Sequence, residues 1–125
     1  MEKIILDTNI LIEILKNNQT TIDKVEQYSE HYISSITKME LYYGAFNKQE
    51  TQKIKRFLEL FKVIELNETI SEIATNLIYK YAKSHNLDIP DSLIAATSLY
   101  ANIELFTYNT KDFKFIDNIN LSTQS

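Results

Sequence analysis

The chain predicts an α/β fold: one domain over residues 1–125, with a central parallel sheet of four to five strands flanked by helices. Three observations predict it. Short apolar runs recur at Lys3 to Leu6, His31 to Ser34, Val63 to Leu66 and Ile103 to Thr107, with strand rather than helix length. The segments between them repeat apolar residues at helical spacing. Strands that alternate with helices pair in parallel, and the helices cover both faces of the sheet.

In chain order, Lys3 to Leu6 is the first strand and ends at an acid, Asp7. Thr8 to Lys16 follows as a helix with Ile10, Leu11, Ile14 and Leu15 on one side, and Thr21 to Glu30 is a weaker helical pattern. His31 to Ser34 is the second strand. Thr37 to Phe46 is a helix, and its Gly44 suggests close helix packing. Gln49 to Phe61 places Ile54, Phe57, Leu58 and Phe61 at helical spacing, and Val63 to Leu66 is the third strand. Glu68 to Ser84 is the clearest helix, with Ile70, Ile73, Ala74, Leu77, Ile78, Tyr81 and Ala82 in phase. Pro90 to Tyr100 is a helix opened by proline, whose missing N–H is no loss in a first turn. Ile103 to Thr107 is the fourth strand, and a last one lies near Ile119 to Leu121.

The composition narrows the function. With no cysteine, disulfides, thiolate chemistry and zinc on sulfur are excluded. No apolar run approaches the roughly 20 residues of a membrane span, and no signal-peptide layout opens the chain. A cytoplasmic protein with no membrane association is the simplest expectation. His31 and His85 are the only histidines, and both fit structural roles. There is no nucleophile elbow, zinc helix or glycine-rich phosphate loop. Tyr79, Tyr81 and Tyr100 fall in helical patterns and suit a core or interface better than nucleic acid. The net charge of −4 by itself argues against a nucleic-acid partner. Setting four acids aside as metal ligands leaves 13 carboxylates against 13 Lys and Arg, so the charge decides nothing. Lys48, Lys53, Lys55, Arg56 and Lys62 cluster, either as a solvated helix face or as a surface for backbone phosphates.

Four acids carry the chemistry: Asp7, Glu40, Asp91 and Asp112, each at the end of an apolar run or at the start of a helical pattern. In an α/β fold such positions converge at the carboxyl edge of the sheet. Carboxylates gathered there repel unless a cation lies between them, which points to a hard divalent metal. Each acid also has a structural explanation. Asp7, Thr8 and Asn9 could cap the first helix. Thr37-Lys38-Met39-Glu40 has the form of a capping box. Asp88 could cap the Pro90 helix, with Asp91 in its first turn. Asp112 could lie in a turn. Capping does not explain why the strand–acid–helix pattern recurs. Nor does it explain the polar neighbours Thr8, Asn9, Thr37, Ser92, Thr107 and Asn109, which could orient carboxylates or waters.

At these residues the chain resembles the PIN-domain family, in particular the VapC-type toxins of toxin–antitoxin pairs. Four blocks carry the resemblance: Ile5-Leu6-Asp7-Thr8-Asn9, Ser35 to Gly44 around Glu40-Leu41, Pro90-Asp91-Ser92-Leu93-Ile94-Ala95-Ala96-Thr97, and Phe106 to Phe113. The resemblance implies a Rossmann-like sheet and a Mg²⁺- or Mn²⁺-dependent endoribonuclease, held inactive by a cognate antitoxin in a VapBC-type pair. It implies metal binding by Asp7, Glu40 and Asp91. In the fourth place family members carry an acid where Asn109 or Asp112 stands. Asn109 is a neutral oxygen donor, so the weight falls on Asp112. A second ion would then be reached from Asp112 or Asp91, with Asn9 and Thr107 orienting waters or phosphate oxygens. RNA is the implied substrate, and a homodimer is expected.

Two alternatives stay open. A PIN fold that binds RNA or a partner without cutting is kept open by Asn109. A receiver-type phosphoacceptor domain has similar length and alternation. It needs an acidic pair after the first strand and an Asp ending the third, whereas here Thr8-Asn9 follows one acid and Val63-Ile64-Glu65-Leu66 has no Asp.

Overall fold

A computed structural model describes residues 2–125. Its sheet contains β1 (Lys3–Leu6), β2 (Glu30–Ser34), β3 (Lys62–Ile64) and β4 (Leu105–Phe106), all parallel, in the order β3-β2-β1-β4. Six helices connect them: α1 (Thr8–Leu15), α2 (Gln19–Glu26), α3 (Ser35–Tyr43), α4 (Lys48–Leu58), α5 (Glu68–His85) and α6 (Ile89–Ala101). No helix among the described residues is long and apolar enough to cross a membrane.

Strand alternation sorts the core into two halves. Ile4 and Leu6 point to one face with Ile33 and Phe106, where they meet Ile10, Leu11, Leu41, Ile54 and Leu58 of the helices. Ile5 and Leu105 point to the other, against Ile70, Ala74 and Leu77 of α5 and Ile94 and Ala95 of α6. Burial on both faces is why β1 reads as a continuous apolar run rather than an alternating one.

The chain order reverses between β1 and β4, so the loops after these neighbouring strands part to opposite sides. In open α/β sheets this switch point, at the carboxyl ends of the strands, leaves a crevice. Asp7 follows β1 there and Thr107 follows β4.

Several elements differ from the sequence expectation. The second helix begins at Gln19, because Asn18 caps it, and ends before Glu30 enters β2. The fourth strand shrinks to Leu105–Phe106, and the expected fifth is a single parallel bridge between Leu121 and Leu105. Tyr81 is in the core, whereas Tyr79 is 93% exposed and Tyr100 48%. His31 is structural, as expected: its Nε2–H is shared between the carbonyls of Val25 and Tyr28 at 3.0 and 2.8 Å. His85 stacks on Phe115.

Gly44 is not a close-packing residue. It is the C-cap of α3 at φ −81°, and an added Cβ would meet nothing nearer than the Glu40 carbonyl at 3.5 Å. The positions that do need positive φ hold asparagine: Asn17, Asn86, Asn102 and Asn118. Gly44→Ala is therefore expected to raise stability by about 0.4–1 kcal/mol through the unfolded chain, which a thermal melt beside wild type measures. A fall of the midpoint would show a packing role for the missing Cβ.

Candidate active site

Asp7 is the N-cap of α1: its Oδ1 accepts from the Thr8 N–H at 2.8 Å. The capping role foreseen for Asp7 is thus real, but it occupies only one carboxylate oxygen. The other, Oδ2, accepts from Thr107 Oγ1 at 2.7 Å and from Asn9 Nδ2 at 3.3 Å. Asn9 Nδ2 also reaches Thr107 Oγ1 at 3.3 Å, and Asn9 Oδ1 accepts from the Tyr108 N–H at 3.2 Å. One amide thus ties the loops after β1 and β4 together around the Asp7 carboxylate. Asp7 is only 5% exposed. Burial is the main reason its carboxyl is raised above the ordinary range; the bonds from Thr107 and Thr8 pull it down, and Glu40 and Asp112 push it up.

Glu40 is freed from the capping-box role. Ser34 caps α3, its Oγ accepting from the Ile36 N–H at 3.1 Å, so Thr37 is already inside the helix. Thr37 is fully buried and bonds Thr8 Oγ1 at 3.1 Å, and Thr8 Oγ1 lies 2.6 Å from Glu40 Oε1. A carboxylate only accepts, so Thr8 donates to Glu40, and its single proton leaves Thr37 as donor to Thr8. Thr37, Thr8 and Glu40 form one directed chain.

Asp88 caps α6 by accepting from the Asp91 N–H at 2.9 Å, as the sequence suggested. Asp91 stands in the first turn, and its carboxyl is pushed up to about 7. Burial is the largest cause, followed by the charges of Asp88, Asp7, Asp112 and Glu40. All four acids singled out in the sequence therefore lie within electrostatic reach of one another. Asp88, read only as a cap, adds a fifth charge, for which the spacing Asp88-Ile89-Pro90-Asp91 was the available signal. Asp112 ends a 3-10 turn, Thr110–Asp112, closed by its N–H to the Asn109 carbonyl at 2.9 Å. Asn109 donates its backbone N–H to Thr107 Oγ1 at 3.0 Å, while its exposed side chain does not cap that turn. Ser92 is buried, and its hydroxyl donates to the Ile89 carbonyl at 2.6 Å.

The donor set is all oxygen, which suits a hard divalent cation rather than zinc. None of the four acids has an ion-pair partner among the described residues. No three acidic or histidine side chains among these residues close into a ready-made cage. An ion held there would keep several waters in its shell, with the carboxylates reaching it directly or through water. A groove of ≈ 640 Å³ opens beside Glu40, walled by Ile12, Leu15, Leu41 and Ile54 and rimmed by Lys16 and Lys53.

The family model for the PIN domain matches residues 4–118. Ribonuclease VapC1 of Methanocaldococcus jannaschii is 32% identical over 114 residues, which cover 90% of this chain and 79% of that one. Among solved structures, a toxin–antitoxin complex from Klebsiella pneumoniae superposes with a TM-score of 0.79 at 32% identity, covering 92% of this chain and 93% of that one. VapBC2 from Rickettsia felis, bound to a DNA fragment from its promoter, superposes with a TM-score of 0.82 at 27% identity, covering 96% and 97%.

Proposed function

The chain belongs to the PIN-domain family, and from that premise we propose that it is a Mg²⁺- or Mn²⁺-dependent endoribonuclease, the toxin of a toxin–antitoxin pair. One observation carries the proposal: Asp7, Glu40 and Asp112 stand at the switch point of the sheet within electrostatic reach of Asp91, and none of the four has a cationic partner among the described residues. Membership of this family sets aside the phosphoacceptor alternative.

Asp7, Glu40 and Asp91 would hold the cation, with Asp112 extending the set and the Asn109 side chain offering a neutral oxygen. When bound, the divalent ion supplies the acidification of an attacking water and the neutralisation of charge on the phosphate. The residues of the chain provide the positioning. Thr107 and Asn9 fix the Asp7 carboxylate from two directions, and Thr8, backed by Thr37, fixes Glu40. With its carboxyl pushed up to about 7, Asp91 is partly protonated near neutrality in the metal-free chain, and a bound cation would favour its charged form.

Thr8→Val keeps the shape of the side chain but removes the donor to Glu40. Cleavage is expected to fall about 10–100-fold, the usual cost of losing a group that orients a ligand. Rates measured at saturating Mn²⁺ against limiting Mn²⁺ check this, and equal rates to wild type at both would refute the Thr8 role.

The named neighbours are toxin–antitoxin complexes, and the groove beside Glu40 gives an antitoxin a place to dock. An apolar segment would fill the space between α1, α3 and α4, with a basic side chain set against the acids. The function is tested by incubating the purified chain with transfer, ribosomal and messenger RNA, with Mg²⁺, with Mn²⁺ and with chelator. Cutting only with metal is the expected result. Equal cutting in chelator, or none of the three RNAs cut, would contradict it.

A further inference from the structure

Two cations lie over a tyrosine ring with no ion-pair partner among the described residues, Lys3 on Tyr32 and Lys24 on Tyr108. Lys16, Lys62 and Lys80 pair with Glu13, Glu30 and Asp117. Lys24, in the last turn of α2, pairs with no acid among the described residues and instead has its Nζ 5.4 Å from the centre of the Tyr108 ring. That ring is itself pinned. The Tyr108 hydroxyl bonds Thr21 Oγ1 at 2.6 Å, one helical turn before Lys24, and Thr21 is buried. Phe106 meets the ring edge-on at 5.4 Å. The Tyr108 N–H is bonded to Asn9, the residue whose amide also holds Asp7 and Thr107. Yet Tyr108 is 38% exposed. An ammonium without an acid partner among the described residues thus lies on an aromatic ring whose backbone N–H is bonded to Asn9, the residue that also holds Asp7.

We propose that Lys24, positioned by Tyr108, contacts a backbone phosphate beside the one cleaved and so holds the RNA strand across the acidic site. The proposal rests on the nuclease function above. The physical need is plain: a polyanion entering a ring of carboxylates is repelled, and a cation beside that ring offsets the repulsion while leaving the acids free for metal. An ammonium over a ring face keeps its remaining donors for a phosphate. The alternative for Lys24 is a solvated cation that merely suits the carboxyl end of α2. The exposed basic face of α4, bearing Lys48, Lys53, Lys55 and Arg56, is the competing surface for phosphates.

The test uses the full chain and a fluorescein-labelled single-stranded RNA of mixed sequence. Binding is read by anisotropy in chelator, and cleavage of the same RNA in Mg²⁺, both across a series of salt concentrations. Lys24→Gln is expected to raise KM several-fold with kcat little changed, and to reduce the slope of log affinity against log salt by about 0.7, the share of one phosphate on a single strand. Lys24→Arg should retain the slope. Tyr108→Ala should raise KM but leave the slope, since the charge remains, whereas Tyr108→Phe keeps the ring but loses the bond to Thr21 and should raise KM less. Lys80→Gln, which removes a cation already paired with Asp117, serves as the control. A Lys24→Gln slope equal to wild type overturns the proposal even where cleavage persists, as does a slope that moves with Lys55→Gln instead. Binding with a Lys24-dependent slope but no cleavage would uphold the phosphate contact and count against the nuclease function. Neither binding nor cleavage would overturn both.

Discussion

Replacing Asp7 with Asn is expected to lower RNA cleavage by at least about 10³-fold, because in the proposed mechanism several kcal/mol of transition-state charge stabilisation depend on an ion that Asp7 would help to hold. The same variant is expected to melt at or above the wild-type temperature in chelator. The amide side chain would keep the volume and the N-cap oxygen that accepts from the Thr8 N–H. Thr107 Oγ1, now a donor, can turn to accept from the new amide in place of Asn9 Nδ2, whose two bonds at 3.3 Å are given up. What is lost is a buried carboxylate whose charged form burial disfavours. The pair of readouts matters, since a variant that is both inactive and unfolded would say nothing about the site. Retained cleavage in a folded Asp7→Asn chain would remove Asp7 from the machinery.

The second large effect concerns pH. The Asp91 carboxyl is raised from 3.8 to about 7 in the folded chain, and Asp7 is raised in the same direction. A raised carboxyl favours the protonated form on folding. Its stabilising contribution is complete below the unfolded value and is lost as the pH rises through the folded one. The metal-free chain should therefore lose stability between about pH 4 and pH 7. Glu30 and Asp117 are lowered by Lys62 and Lys80, so their contribution changes below the ordinary carboxylate range and does not mask this window. Thermal melts in chelator across this range should show a falling midpoint, with Asp91→Asn flattening the fall. Added Mg²⁺ should reverse the trend, since it favours the charged carboxylates more as the pH rises. A midpoint that rises over the window in chelator, or an unaltered slope in Asp91→Asn, would contradict the assigned burial and clustering.

Much of this arrangement was legible in the sequence, and the reasons are local. Apolar runs ending at an acid located Asp7, and a proline-opened helix located Asp91 with its cap Asp88. A short continuous apolar run marked β1 as a buried strand. Glu40 was ambiguous because Thr37-Lys38-Met39-Glu40 satisfies a local capping rule. Only the tertiary contact of Thr8, 32 residues away in sequence, shows that Glu40 points elsewhere. Helix ends were blurred because asparagine takes the left-handed positions where glycine is the usual marker. The edge of the sheet was overestimated because Ile103 and Ile119 have strand composition but pack against the helix layer. The Lys24–Tyr108 pair carries no sequence signal at all, since it joins α2 to the loop after β4 and depends wholly on how the two elements meet.

Calorimetric titration of Mn²⁺ into the metal-free chain, in buffers of different ionisation enthalpy near neutral pH, bears most directly on the four acids as one cation site. The expected result is saturable binding with proton release from wild type, because the cation displaces the proton that Asp91 holds near 7. In Asp91→Asn the proton release should vanish and the affinity should fall. Absence of binding by wild type, or binding by Asp91→Asn with wild-type affinity and proton release, would contradict the site.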